Sequence, residues 1–108
     1  MDYGKRPDGS PKGKGFFGEI PRPDGNVMTE VSIGVGLNGK ETLIPLIVPT
    51  LTKQELDYLR KSNVDSPDFM KNIPPSIIDK AVDYAAGRVK QNKSPFADST
   101  EKFSLPTK

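Results

Sequence analysis

"VSIGVGLNGKETLIPL", Val31 to Leu46, decides the fold. Val31, Ile33, Val35 and Leu37 alternate with Ser32, Gly34 and Gly36, the period of a strand with one buried face. Asn38-Gly39 follows, and this pair tolerates the two positive-φ positions of a type I′ hairpin turn. A two-residue loop there sets Val35 opposite Thr42, Ile33 opposite Ile44 and Val31 opposite Leu46, so the apolar face continues across the hairpin. Pro45 has no N–H to give, so the returning strand is an edge or is bulged at that point. On the other face Gly34 and Gly36 lie beside Leu43 and Glu41, a flat strip that either stays half exposed or receives another chain.

Upstream, the alternation extends back to Val27, with Met28 and Glu30 on the glycine face. "FFGEI" (Phe16–Ile20) reads as a preceding strand. Between them stands Arg22-Pro23-Asp24-Gly25, and the same tetrapeptide occurs at Arg6-Pro7-Asp8-Gly9. Proline presets φ for the second position of a type I turn, Asp suits the third, and Gly takes the left-handed conformation that follows. Both copies read as corners of the chain with a solvated arginine at the edge, not as basic binding elements. The second is a three-residue hairpin loop with a glycine bulge. The expected sheet is a three-stranded antiparallel meander.

Downstream, "LTKQEL" carries a capping box, with Thr52 at the N-cap and Glu55 at N3, and Leu51 placed to staple onto Leu56. That helix runs to about Lys61 and buries Leu56 and Leu59. Ser66-Pro67 opens a short turn. A second long helix starts at Pro75-Ser76 and runs to about Asn92. Its stripe is Ile78, Val82, Ala85 and Val89, flanked by Ile77 and Ala81, and Arg88, Lys90 and Lys93 suit its C-terminal dipole. Gly87 weakens it.

The ends have no period. Residues 1–15 form a flexible basic arm in which Lys5, Arg6, Lys12 and Lys14 outweigh Asp2 and Asp8. Residues 16–93 form a small α+β domain. Residues 94–108 form an extended tail with two isolated aromatics, Phe96 and Phe103, and too little apolar area to offset its own ordering entropy.

Composition narrows the chemistry. The chain has no Cys and no His, which removes thiolate nucleophiles, cysteine zinc sites and every Ser-His-Asp or Cys-His arrangement. Only carboxylate or lysine chemistry is left, so a non-enzymatic role is expected, with no cofactor and no metal. Sixteen basic residues against 14 acidic give +2 with mixed signs, far from the basic excess of a nucleic-acid domain. There is no long apolar run for a membrane span, and the first residues carry no apolar signal core, so secretion by that route is not expected.

Several motifs fail on context. "GVGLNG" (Gly34–Gly39) spells G-x-G-x-x-G, but its last glycine sits in a hairpin turn, with no helix N-terminus to hold a pyrophosphate. "PKGKG" has the wrong spacing for a phosphate loop and Gly15 in place of Ser or Thr. Asp79 and Asp83 alternate with Lys80 opposite the apolar stripe and read as a solvated face. Glu30, the one carboxylate of the best strand, has nothing complementary at a telling distance.

The order of pieces, an aromatic-Gly strand, "RPDGNVMTEVSIGV", "NGKE", "IPLIVPTLT", a helix, then "KAVDYAAGR" and "KSPFAD", resembles a group of small proteins and modules of tailed bacteriophages and prophages, some within larger virion polypeptides. The resemblance covers about residues 15–99. It implies a phage setting, in the virion and host cytoplasm, and brings no catalytic residue with it.

The expectation is therefore a small α+β domain: a three-stranded meander with two helices packed on one face, an arm and a tail. A core of this size seldom supplies more than about 3–5 kcal/mol alone, and docking adds to it. The partners expected are other virion proteins or copies of the chain itself. The contacts fall on Lys12, Lys14, Phe16, Phe17, Phe96 and Phe103, with the ends as clasps that order in the assembly. Removing residues 95–108 is then expected to spare melting and weaken assembly. Rival readings are a small effector that binds and inhibits a host defence protein, and weak nucleic-acid binding through Lys5, Arg6, Lys12 and Lys14.

Overall fold

A computed structural model of the chain describes residues 3–63, 66–98 and 100–107; Asp2, counted in the arm's charge, lies outside them. The elements in order are β1 (Ile20–Pro21), β2 (Val27–Met28), β3 (Ser32–Leu37), β4 (Lys40–Pro45), α1 (Lys53–Lys61), α2 (Phe69–Asn72) and α3 (Pro75–Lys90). The class is α+β.

The β3–β4 hairpin has the expected register, with Val35 opposite Thr42 and Ile33 opposite Ile44. Asn38 (φ 52°) and Gly39 (φ 80°) make the turn, both left-handed as type I′ requires. Beyond β4 the pairing continues through Leu46 N–H, which donates to Val31 O at 2.6 Å. Pro45 falls at the end of β4. The run from Ile44 to Val48 is wholly buried, and α3 packs on β4. Each of its large side chains contributes about 1.5–3 kcal/mol of transfer free energy.

The meander is corrected. Among the described residues β1 pairs with β2 and β3 with β4, giving two separate two-stranded sheets. Thr29 and Glu30 break the strand because both are pulled inward, at 2% and 4% exposure. The arm crosses there: a Cβ on Gly15 (φ 70°) would stand 2.1 Å from the Thr29 carbonyl oxygen, so only glycine fits. The side chains invert accordingly. Met28 is buried and Val27 exposed, the reverse of an uninterrupted alternation.

Among the described residues three helices replace the expected two on one face. α1 is capped as read, with Glu55 N–H donating to Thr52 Oγ1 at 3.2 Å and Thr52 N–H to Glu55 Oε1 at 2.8 Å. α2 follows Ser66-Pro67 and buries Phe69. α3 begins with Pro75 in its first turn, and its buried line is Ile77, Ala81, Ala85 and Arg88. The expected stripe was thus rotated by about one residue. Ile78 and Val82 are only partly buried against the core. Ala81 and Ala85, both fully buried, are small enough for close approach, and this turns Arg88 inward instead of toward solvent.

Candidate functional site

The two ends meet on one face of the domain, and two arginines hold them there. Arg6 reaches from the first Arg-Pro-Asp-Gly turn to Glu30. Its Nη2 donates to Glu30 Oε2 at 3.0 Å, and its Nε donates to Oε1. Gly13 N–H donates to the same carboxylate at 3.2 Å, so among the described residues the arm supplies the hydrogen bonds of this buried group. The guanidinium carbon lies 3.8 Å from the centroid of Phe96, a cation–π contact joining arm to tail. Beside this crossing, buried Thr29 Oγ1 has no hydrogen-bond partner among the described residues.

Arg88 does the same work from α3. Its Nη1 and Nη2 donate to the two oxygens of Glu101 at 2.8 and 2.9 Å, a bidentate pair. Nε donates to Ser94 O at 2.6 Å and Nη2 to Phe96 O at 2.9 Å. Its guanidinium also lies 5.2 Å over Phe16. Two residues after Glu101 the backbone is held again, Phe103 N–H donating to Phe16 O at 2.7 Å.

The sequence-derived contact residues separate on this frame. Phe16 and Phe17 are 1% and 5% exposed and belong to the core, and Phe96 is 9% exposed beneath Arg6. The chain itself occupies these three rings. Phe103 packs edge-on against Phe16 with centroids 6.1 Å apart yet remains 41% exposed. Leu105 is 45% exposed beside Leu56 and Ile20. Lys14 borders a cleft of about 730 Å³ between arm and tail, whose walls include Tyr3, Phe17, Glu19, Asp98 and Lys102. Lys12 lies apart, in a smaller polar recess with Arg22 and Thr29. Of the four basic arm residues, Arg6 faces inward.

Sequence reasoning missed Arg6, Glu30, Arg88 and Glu101. Only Arg88 left a trace, since it continues the Ile77–Ala81–Ala85 spacing. The Arg6–Glu30 pair spans 24 residues and obeys no local period.

The electrostatics are those of a joint. Hydrogen bonds from Arg88 hold the Glu101 carboxyl below its ordinary range, helped by the Asp98 N–H. A second joint lies between α1 and α3. Burial pushes Glu55 up, but hydrogen bonds from Lys80, Thr52 and Ser76 outweigh it and bring the carboxyl to about 2. Lys80 Nζ and Ser76 Oγ reach its oxygens at 2.6 and 2.7 Å. At the cleft mouth Tyr3 donates to Glu19 at 2.7 Å, which raises the phenol's pKa. Among the described residues no group of three acidic side chains gathers to hold a metal ion. No described helix is long and apolar enough to cross a membrane.

No family model, curated protein or solved structure compared with the chain matches it.

Proposed function

We propose that the chain is a non-enzymatic bacteriophage protein that binds protein partners, a minor structural or accessory component of the virion. The observation that carries this reading is the tail's outer surface. Phe103 and Leu105 are large, apolar and about half exposed, on a segment whose backbone is pinned at Phe103 N–H and whose root is locked by Arg88. An apolar anchor on a fixed support loses little conformational freedom on binding, which is what a docking surface requires. The adjacent cleft carries both signs of charge, Lys14 and Lys102 beside Glu19 and Asp98, and suits a partner with a mixed polar rim. The phage setting rests on the sequence resemblance over about residues 15–99.

Quantitative mass spectrometry of purified particles from the encoding phage or prophage tests the reading. The chain is expected at a fixed copy number per particle. The Phe103→Ala, Leu105→Ser double variant should fold as the parent does but fall at least about tenfold in particle-bound copies, on a loss near 1.4 kcal/mol. A chain absent from particles, yet retained by a host protein through the same face, would move the assignment to a host-directed effector.

A further inference from the structure

The β3–β4 hairpin leaves one strand edge open, and its sequence is nearly symmetric. In a two-residue hairpin the bonded pairs alternate outward from the turn, starting with Leu37 and Lys40. Val35–Thr42 and Ile33–Ile44 are then bonded pairs, and the Leu46-to-Val31 bond continues the same alternation. The backbone groups of Ser32, Gly34 and Gly36 therefore point away from β4. Among the described residues no third strand receives them. Gly34 and Gly36 are exposed, and nothing lies within 4 Å of a Cβ placed on Gly36.

Folded proteins blunt such an edge with lysine, proline or a bulge. β3 has none of these, whereas β4 ends in Pro45 and lies under α3. Around Val35 the residues read Ser-Ile-Gly-Val-Gly-Leu-Asn: polar, apolar, glycine, valine, glycine, apolar, polar. An antiparallel copy turned about Val35 matches glycine with glycine, Ile33 with Leu37 and Ser32 with Asn38. β3 itself carries no charged side chain, and the Glu41 carboxylate of β4 lies over Gly34 on the face of the sheet, clear of the outward backbone groups.

We propose that β3 pairs with β3 of a second copy about a two-fold axis at Val35, forming a four-stranded sheet in the order β4-β3-β3-β4. Gly34 of each copy exchanges backbone hydrogen bonds with Gly36 of the other. Val35 faces Val35 as a close, non-bonded pair, and the partly buried Ile33, Val35 and Leu37 of each copy form one continuous apolar strip. A two-fold interface requires a self-complementary patch, and this strand is one. The surface is separate from Phe103 and Leu105 and stands whether or not the tail binds a virion partner.

Sedimentation of the full chain over a concentration series, with two engineered thiols, tests it. The chain has no cysteine, so any added thiol is unique. Val35→Cys places two sulfurs across the axis on Cα atoms about 4.5 Å apart, while Glu41→Cys places them on the outer strands. The expected result is a dimer in which Val35→Cys oxidises to a disulfide far faster than Glu41→Cys. Gly36→Pro removes an outward donor that the hairpin does not use, so it should keep the parent circular dichroism and abolish the dimer. A chain that stays monomeric at millimolar concentration, or a dimer in which both thiols cross-link equally, overturns the proposal. The Phe103→Ala, Leu105→Ser variant should dimerise as the parent does.

Discussion

The two Arg-Pro-Asp-Gly segments make the same corner and use their arginines differently. In each, the glycine N–H closes the turn on the arginine carbonyl, at 2.9 Å for Gly9 and 3.1 Å for Gly25. In each, the arginine N–H bonds four residues on, Arg6 to Ser10 O and Arg22 to Asn26 O, both at 2.8 Å. Asp8 and Asp24 each accept from the N–H two residues later, and the glycines sit at φ 88° and 89°. Beyond the backbone the likeness stops. Arg22 pairs with Asp24 of its own turn at 3.6 Å, and it donates to Met28 Sδ at 3.8 Å and to Ser62 O at the end of α1 at 2.9 Å. Arg6 crosses the molecule to a buried carboxylate and an aromatic ring of the opposite end. Four residues suffice for a turn; where the long side chain goes is decided by what the fold places within its reach.

The largest effect should come from cutting away what the first arginine covers. Truncation after Ser94 removes Phe96 from beneath Arg6 and Glu101 from Arg88, which is 7% exposed. A stranded buried charge and a lost buried ring together cost about 5 kcal/mol or more. The tail had been expected to be dispensable for melting; urea unfolding should now show a truncated chain that is largely unfolded. Equal stability with and without the tail would break the contrast between the two turns, because Arg6 would then not be tied to the opposite end.

Single substitutions sharpen it. Arg6→Ala leaves Glu30, at 4% exposure, without its counter-ion and should cost about 3–5 kcal/mol. Arg22→Ala loses hydrogen bonds to neutral acceptors and an ion pair with the exposed Asp24, and should cost about 1 kcal/mol. Denaturant midpoints of the two variants, compared side by side, give the difference directly.

Acid should act through the carboxylates held below their ordinary range. Glu55 has its folded pKa lowered from 4.5 to about 2, so its contribution is fully present above pH 4.5 and disappears as the pH falls toward 2. The linked loss is at most about 3 kcal/mol, and Glu55→Gln should flatten that part of the stability profile. Asp8 and Asp24 are both held below their ordinary range by the bonds they accept, chiefly from Ser10 and from Asn26, so acid acts on the two turns in the same direction. The smallest effect should be an equal one. Gly9→Ala and Gly25→Ala each force a side chain into the left-handed region and should cost about 1 kcal/mol apiece in thermal melts. Unequal costs would mean that the two backbones differ after all.

What the sequence disclosed follows the same division. The β3–β4 register, the capping box of α1 and the proline start of α3 rest on periods and neighbours, and all were legible. The second tetrapeptide was readable as a hairpin loop because strands flank it, and the first became a corner without them. The three-stranded sheet was misread because Thr29 and Glu30 look like ordinary strand residues until the arm is known to cross them. The α3 stripe was misplaced because a buried arginine counts as polar in any periodicity argument. The arm–tail crossing was invisible, since Glu30 meets Arg6, and Arg6 meets Phe96, only after the chain has closed on itself. Consequently the aromatic anchors expected for a partner proved mostly internal, and Phe103 alone kept a substantial exposed face.

A double-mutant cycle on Arg6 and Glu30, read by urea denaturation, tests most directly whether the first turn is tethered through a buried ion pair, which the second is not. If Arg6→Ala and Glu30→Gln are coupled, the double variant will be clearly more stable than the sum of the single losses implies, by about 2 kcal/mol or more. Additive losses, or an Arg6→Ala cost no greater than that of Arg22→Ala, would contradict it.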